Sequence, residues 1–399
     1  MISKLRSGKS NMRNIFFIGM ISFFTDISTE MVYPIIPLYL TAAFGATPAL
    51  IGVIEGIAES LASLLKVFGG YISDRFQKKK ALAFVGYSTG ILYKVALLFA
   101  GSWLGILGAK VLDRFGKGIR TAPRDSLISE SADKKGMGKA FGLHKTLDMA
   151  GAAIGIIFTY FLLKSSRDFD YKHLFMLSII PAALGLLMFA FIKAKKTARP
   201  ASKRIAFWKN LKGLDGQLKL YLLVVVLFTL GNSSNAFLLL KAKAVGFNDI
   251  TVILLYFLYN VTASILSLPS GRLSDKIGRK HLLVGGYAVF TIVYLGFGFA
   301  FSQPFMVSMF ILYGLHTAMI TGVERAFVAE IAPPELRGTM LGLQSTVAGV
   351  ALLPASLITG LLWNTFGSVV PFVFGAGLSL AAAAILLVFM RGTSIANSS

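Results

Sequence analysis

Residues 70–87 read GYISDRFQKKKALAFVGY, and residues 271–287 read GRLSDKIGRKHLLVGGY. The two runs share Gly70 with Gly271, Ser73 with Ser274, Asp74 with Asp275, and a closing Gly-Tyr pair at 86–87 and 286–287. The first copy carries one extra residue. A second match keeps the same offset: SESADKKGMGKAFGLH (129–144) pairs with AEIAPPELRGTMLGLQ (329–344). It sets Glu130 against Glu330, Gly138 against Gly338, and Gly142-Leu143 against Gly342-Leu343. Two matches in one register point to a duplication, so the chain is one design used twice.

The solvent of that design follows from composition. Of 399 residues, 55% are hydrophobic and 15% charged, against roughly 25% charged in a typical soluble domain. Apolar windows long enough to cross a bilayer recur along the whole length. They predict twelve spans, at 14–40, 48–73, 80–101, 103–125, 139–163, 172–193, 219–242, 249–272, 280–301, 304–326, 338–363 and 367–390. The formal charge of +22 would suggest nucleic acid in a soluble chain. Here the bases gather in alternate loops, among them MISKLRSGKSNMR (1–13), RFQKKK (75–80) and KAKKTARPASKRIAFWKNLKG (193–213). The opposite loops TAAFGATP (41–48), GS (101–102), SQ (302–303) and NTFGS (364–368) carry no charge. That asymmetry predicts a multi-pass protein of a bacterial-type inner membrane with both termini cytoplasmic. The basic-then-apolar N-terminus has no small-residue cleavage site and is interrupted by acids, so it is read as a retained first span.

Several classes fall away. With no cysteine, disulfides, thiolate metal sites and cysteine nucleophiles are excluded together. The run SGKS at 7–10 has the end of a phosphate loop, but Ser3 stands where that loop needs glycine. His144 and His316 have no metal-ligand partner at helical spacing, so neither a metal nor another cofactor is expected. No His/Ser/Asp set suited to an enzyme is found.

The long polar segment between the sixth and seventh spans predicts a six-helix bundle over 1–193, a basic linker over 194–218 and a second bundle over 219–399. Six plus six spans, with the SD motif between spans 2 and 3 and again between spans 8 and 9, resembles the major facilitator superfamily. The first copy departs from the usual pattern at Gln77, while the second carries the expected Gly278. Arg114-Phe-Gly-Lys117-Gly118 in span 4 resembles a motif of the proton-driven drug-antiporter branch, with lysine in place of glutamine. The resemblance implies an all-α membrane protein whose two pseudo-symmetric bundles enclose a central cavity lined by spans 1, 2, 4, 5, 7, 8, 10 and 11.

Two groups of residues then carry the expectations. Asp74, followed at once by Arg75, ends span 2 where Arg120 or Arg124 of span 4 and the start of span 11 lie within reach; Lys78 or Lys79 would reach Asp125. The symmetric set is Asp275 with Arg325. By the resemblance, these contacts form a latch that closes the cytoplasmic side. Against that stands plain positive-inside charge, which suffices for the lysines.

The second group is intramembrane. Asp26 and Glu30 share a face of span 1, Glu55 and Glu59 a face of span 2, and Lys110, Asp113, Arg114 and Lys117 a stripe down span 4. His144, Lys145 and Asp148 share a face of span 5, and Lys94 in span 3 is read as packing or snorkelling. The second half offers Asn232, Asn235, Asn260, His316 and Gln344, with Glu324 and Arg325 at the rim. A charge at bilayer centre costs about 2.5–3.5 kcal/mol, so these groups face one another or a wet cavity. Asp26 and Glu30 are candidates for proton coupling, with Glu59, Asp113, Arg114, Lys117, Asn232, Asn235, Asn260 and His316 as companions or substrate contacts. The alternative is a static network pinning span 1 to span 4. The expected function is a monomeric proton antiporter exporting small amphiphilic molecules or metabolites. A symporter or facilitator importing a polar or anionic metabolite remains open.

Overall fold

The computed structural model describes residues 12–76, 79–132, 137–165, 170–193, 215–300, 302–332 and 337–390. The side chains of 66–76, 137–139, 142, 329 and 337–339 lie outside that description, as does the basic linker over 194–214. Among the described residues there is no strand, and twelve helical spans follow one another. Eleven stretches are long and apolar enough to cross a membrane. The remaining span, Trp103–Ser131, is helical throughout but carries Lys110, Asp113, Arg114, Lys117 and Arg120 within its first 18 residues.

Three spans are broken. Span 1 runs as Met12–Val32 and Ile35–Phe44, interrupted at Tyr33-Pro34, because a proline inside a helix removes a donor and clashes with the preceding turn. Pro37 falls in the first turn of the second piece, where no donor is missed. Pro354 sits inside Arg337–Phe366 without interrupting it. Span 7 breaks without proline, between Gly216–Gly231 and Ala236–Ala244. The intervening Asn-Ser-Ser-Asn offers side chains that compete for the backbone, and Ser234 Oγ accepts from Ala236 N at 3.3 Å. Span 10 breaks between Gln303–Ile320 and Val323–Ile331. Gly322 there has φ +91°, a conformation that glycine adopts without strain.

By packing, the chain forms two compact units, Met1–Phe44 with Leu64–Ser202, and Gly45–Ser63 with Lys203–Ser399. In the first, span 5 (Met137–Ser165) lies against span 1 so closely that a Cβ on Gly151 would stand 2.2 Å from the Phe23 carbonyl oxygen. One on Gly155 would stand 2.5 Å from that of Ile27. In the second, the opening half of span 2 lies on span 11 through Gly52, whose Cβ would meet the Ser356 carbonyl at 2.3 Å, and through Gly56 and Leu353. Gly349 and Gly360 of span 11 return the contact against Ser63 and Pro48. Gly342, the repeat partner of Gly142, has nothing within 4 Å of a Cβ added there. Gly338 is outside the described side chains.

At the basic end the duplication is visible as chemistry. Lys79 pairs with Glu130 at the end of span 4, and Arg279 Nη1 pairs with Glu330 Oε2 at 2.9 Å at the end of span 10. The next residue in each copy caps the last helix of its half. Lys80 Nζ donates to Ile192 O at 2.8 Å; Lys280 Nζ donates to Leu387 O at 2.9 Å and Met390 O at 2.6 Å. A cation there satisfies carbonyls the helix leaves open and opposes the negative end of its dipole. Because Glu330 is half-buried and paired with Arg279, Glu330→Gln is expected to lower stability by about 0.5–1 kcal/mol. The loss should shrink in high salt, read by thermal unfolding of the purified protein in detergent. An equal loss at both salt concentrations would show that the carboxylate acts through packing instead.

Candidate functional site

The first unit holds a polar chain across spans 3, 1 and 5. Asp26 follows Phe23 by one turn, and Asp148 precedes Gly151 by one turn, so the close approach at Gly151 brings these two faces together. Their carboxyl groups stand within interaction distance of each other. A carboxylate has acceptors and no donor, so the two can hydrogen-bond only while one of the pair is protonated. Asp148 also accepts from Lys145 Nζ at 2.9 Å. One turn before Asp26, Ser22 Oγ hydrogen-bonds His144 Nε2 at 2.8 Å and Tyr87 OH at 3.2 Å. The Arg120 guanidinium lies over the Tyr87 ring, 4.4 Å from its centre. Glu30 stands within electrostatic reach of Asp26.

Span 4 supplies the charges that face this chain. Arg114 Nη1 pairs with Asp113 Oδ2 at 3.4 Å, and its guanidinium reaches the Tyr33 ring at the break of span 1, 6.0 Å from the centre. Both residues are buried, at 3% and 7% exposure. Lys117 is half-buried within electrostatic reach of Asp113. Lys94, expected to pack or snorkel, is 1% exposed and faces Asp113, Arg120, Asp26 and Arg114. Its head does not reach the surface, and it belongs to the network.

The second unit is built of neutral groups around a few acids. His316 Nδ1 hydrogen-bonds Gly286 O at 2.8 Å, with its ring among Phe228, Phe290 and Tyr313. Asn260 Nδ2 donates to Tyr256 O of its own helix at 2.8 Å. At the break of span 7, Asn235 Oδ1 accepts from Tyr313 OH at 2.9 Å, and Ser234 Oγ donates to Glu55 Oε2 at 3.2 Å. Asn232 caps the helix before the break, its Oδ1 buried without a hydrogen-bond partner. Glu59 lies half-buried one turn beyond Glu55. Glu324, first read as a rim residue, accepts from Tyr287 OH at 3.2 Å and from Gln344 Nε2 at 3.5 Å. Lys241, which the hydropathy pattern leaves unremarked, is buried at the end of span 7 and donates to Gly298 O and Ser368 Oγ.

Of the latch residues whose side chains are described, Lys79, Asp125 and Asp275 have partners other than the expected ones. Lys79 partners Glu130 instead of Asp125, and Asp125 Oδ1 accepts from its neighbour Arg124 at 2.9 Å. Arg120 stacks on Tyr87. Asp275 faces Arg279 at 3.8 Å, while Arg325 is exposed. The side chains of Asp74 and Arg75 lie outside the described residues. The Lys79–Glu130 and Arg120–Tyr87 contacts join neighbouring helices, which periodicity alone does not specify, whereas Arg124–Asp125 and Asp275–Arg279 are local.

Comparison with known proteins agrees with this architecture. Residues 18–242 and 220–398 each match the Major Facilitator Superfamily. The chain is 37% identical over 385 residues to an uncharacterized MFS-type transporter of Methanocaldococcus jannaschii, covering 94% of both proteins. It is 25% identical over 325 residues to the multidrug resistance protein MdtH of an Enterobacter species, covering 78% of this chain and 77% of that one. In fold it is similar to the nucleoside transporter NupG, with a TM-score of 0.81 at 12% identity over 94% of this chain and all of that one. With the repeat, the paired units and the family match over nearly the whole length, the chain belongs to the major facilitator superfamily and is a transporter, not an enzyme.

Proposed function

We propose that the protein is a proton-coupled antiporter of the cell membrane, with both termini cytoplasmic, that exports small amphiphilic molecules or metabolites. The carrying observation is the meeting of the Asp26 and Asp148 carboxyls where spans 1 and 5 come closest, at Gly151. A proton held between two acids in a membrane span is a load that can be delivered to one side and replaced from the other. Export as the direction is supported by the likeness to a multidrug resistance protein. Movement of residues 1–193 against 219–399 alternates access, and the protein works as a monomer.

The second reading, import of a polar or anionic metabolite, is favoured by the buried bases Lys110 and Arg114 on span 4. Inside-out vesicles containing the protein, energised to a steady proton gradient and followed with a pH-sensitive dye, separate the two. Cationic, neutral and anionic compounds are added in turn to wild type, Asp26→Asn, Glu30→Gln and Arg114→Ala. Antiport predicts collapse of the gradient with cationic or neutral amphiphiles, lost at least tenfold in Asp26→Asn, since one tenfold step in proton occupancy corresponds to about 1.4 kcal/mol. Equilibration of a labelled anion without proton movement, equal in wild type and Asp26→Asn, would favour the second reading.

A further inference from the structure

We infer that Glu324 is a second proton-binding carboxyl of this carrier, built into the second unit at the break of span 10. The inference rests on the proton-coupled reading above and extends it to a residue on the opposite repeat. Glu324 is the second residue of Val323–Ile331, the short helix that restarts after Gly322. Its partners come from three other spans: Tyr287 of span 9, Gln344 of span 11, and Tyr221 of span 7, whose hydroxyl accepts from the same Gln344 Nε2 at 3.4 Å. Tyr221 and Tyr287 are fully buried and Gln344 is nearly so. This shell is neutral. The charged groups around it are Arg325, which points outward, and Arg279 of span 9, which is engaged by Glu330 and the Ala326 carbonyl.

The duplication shows what is special about this position. Tyr287, Gln344 and Glu330 occupy the repeat positions of Tyr87, His144 and Glu130, and in the same register Glu324 stands where the first half has Arg124. Arg124 is tied to Asp125 at 2.9 Å and keeps its charge at every physiological pH. The scaffold that holds a permanent cation in one half therefore holds a group that can gain or lose charge in the other. As a carboxylate, Glu324 accepts from Tyr287 and Gln344 and faces the open amides at the start of its helix. Once protonated it becomes a donor. Proton loading therefore changes the hydrogen bonds that Glu324 makes with Tyr287 and Gln344, and so the contacts among spans 9, 10 and 11.

The test is infrared difference spectroscopy of the purified full-length protein in detergent, titrated from about pH 5 to pH 9 without added substrate. Glu324→Gln is expected to remove one pH-dependent protonated-carboxyl band and to leave the band that Asp26→Asn removes. Tyr287→Phe is expected to retain the Glu324 band and move it to higher frequency, because that carbonyl has lost a donor. Superimposable spectra of wild type and Glu324→Gln over the whole series would overturn the inference. If that variant does not fold, Tyr287→Phe decides alone, and an unmoved spectrum overturns it. A Glu324 band that persists while Asp26→Asn removes nothing would sink the role of Asp26 and leave this inference standing.

Discussion

Leucine at position 151 is expected to abolish folded protein in the membrane, and alanine there to leave a folded carrier without proton coupling. The Cβ of any residue replacing Gly151 would stand 2.2 Å from the Phe23 carbonyl oxygen and 2.9 Å from its Cα. These are backbone atoms of a packed helix, so no side-chain rotation relieves the collision. Overpacking a core that can yield costs about 1–3 kcal/mol; here spans 1 and 5 must separate. Alanine asks for a small separation, but that separation falls one turn from Asp26 and Asp148, whose meeting depends on the approach. Fluorescence-detected size-exclusion chromatography of tagged variants reads the first effect, and the vesicle assay the second. Gly342→Ala is the control: with nothing within 4 Å, it should fold normally and gain up to about 1 kcal/mol from helix propensity. Full proton movement by Gly151→Ala would show that the carboxyls meet for another reason.

The second large effect is expected at Asp113. This carboxylate is 7% exposed between Arg114 and Lys94, which are 3% and 1% exposed. Removing one member of a buried charge set leaves the others uncompensated, at a cost of about 3–5 kcal/mol. Asp113→Asn should therefore lower the unfolding temperature of the detergent-purified protein far more than Glu330→Gln does. Adding Lys94→Met to Asp113→Asn should recover part of the loss, since one stranded cation is then gone. A double variant no more stable than the single one would mean that Lys94 is balanced by other groups, Asp26 being the nearest candidate.

Much of this molecule could be read from its residues, and the limits of that reading have physical causes. Twelve spans, the duplication and the faces shared by Asp26 with Glu30 or Lys145 with Asp148 follow from composition and helical period, which are local properties. The partner of a face is not local. Nothing within span 1 tells Asp26 that Asp148, and not span 4, lies opposite; the glycines of span 5 were the available signal, since they mark where another backbone must come close. Of the two readings of Lys94, packing or snorkelling, its 1% exposure leaves packing, and the span 4 charges it faces were not legible because family architecture puts span 3 outside the cavity lining. The breaks divide similarly. Pro34 announces the one in span 1, whereas the Asn-Ser-Ser-Asn of span 7 is a break that tertiary partners such as Tyr313 and Glu55 help to hold. Glu324 looked peripheral because it lies near the end of its apolar run, but the restart of the helix after Gly322 turns it toward Tyr287.

The seating of Gly52 and Gly56 on Ser356 and Leu353 also bears on how the chain is made. The two contact surfaces are separated by about 300 residues of sequence. At roughly 5–20 residues per second of synthesis, the glycine face of span 2 waits some tens of seconds in the bilayer before span 11 arrives. During that interval, the small residues and Glu55 on that face are open to lipid or to other newly made helices. Biogenesis of the second unit therefore finishes only with the penultimate span, and chains truncated before Arg337–Phe366 should be recognised and degraded by membrane quality control despite having ten spans already in place.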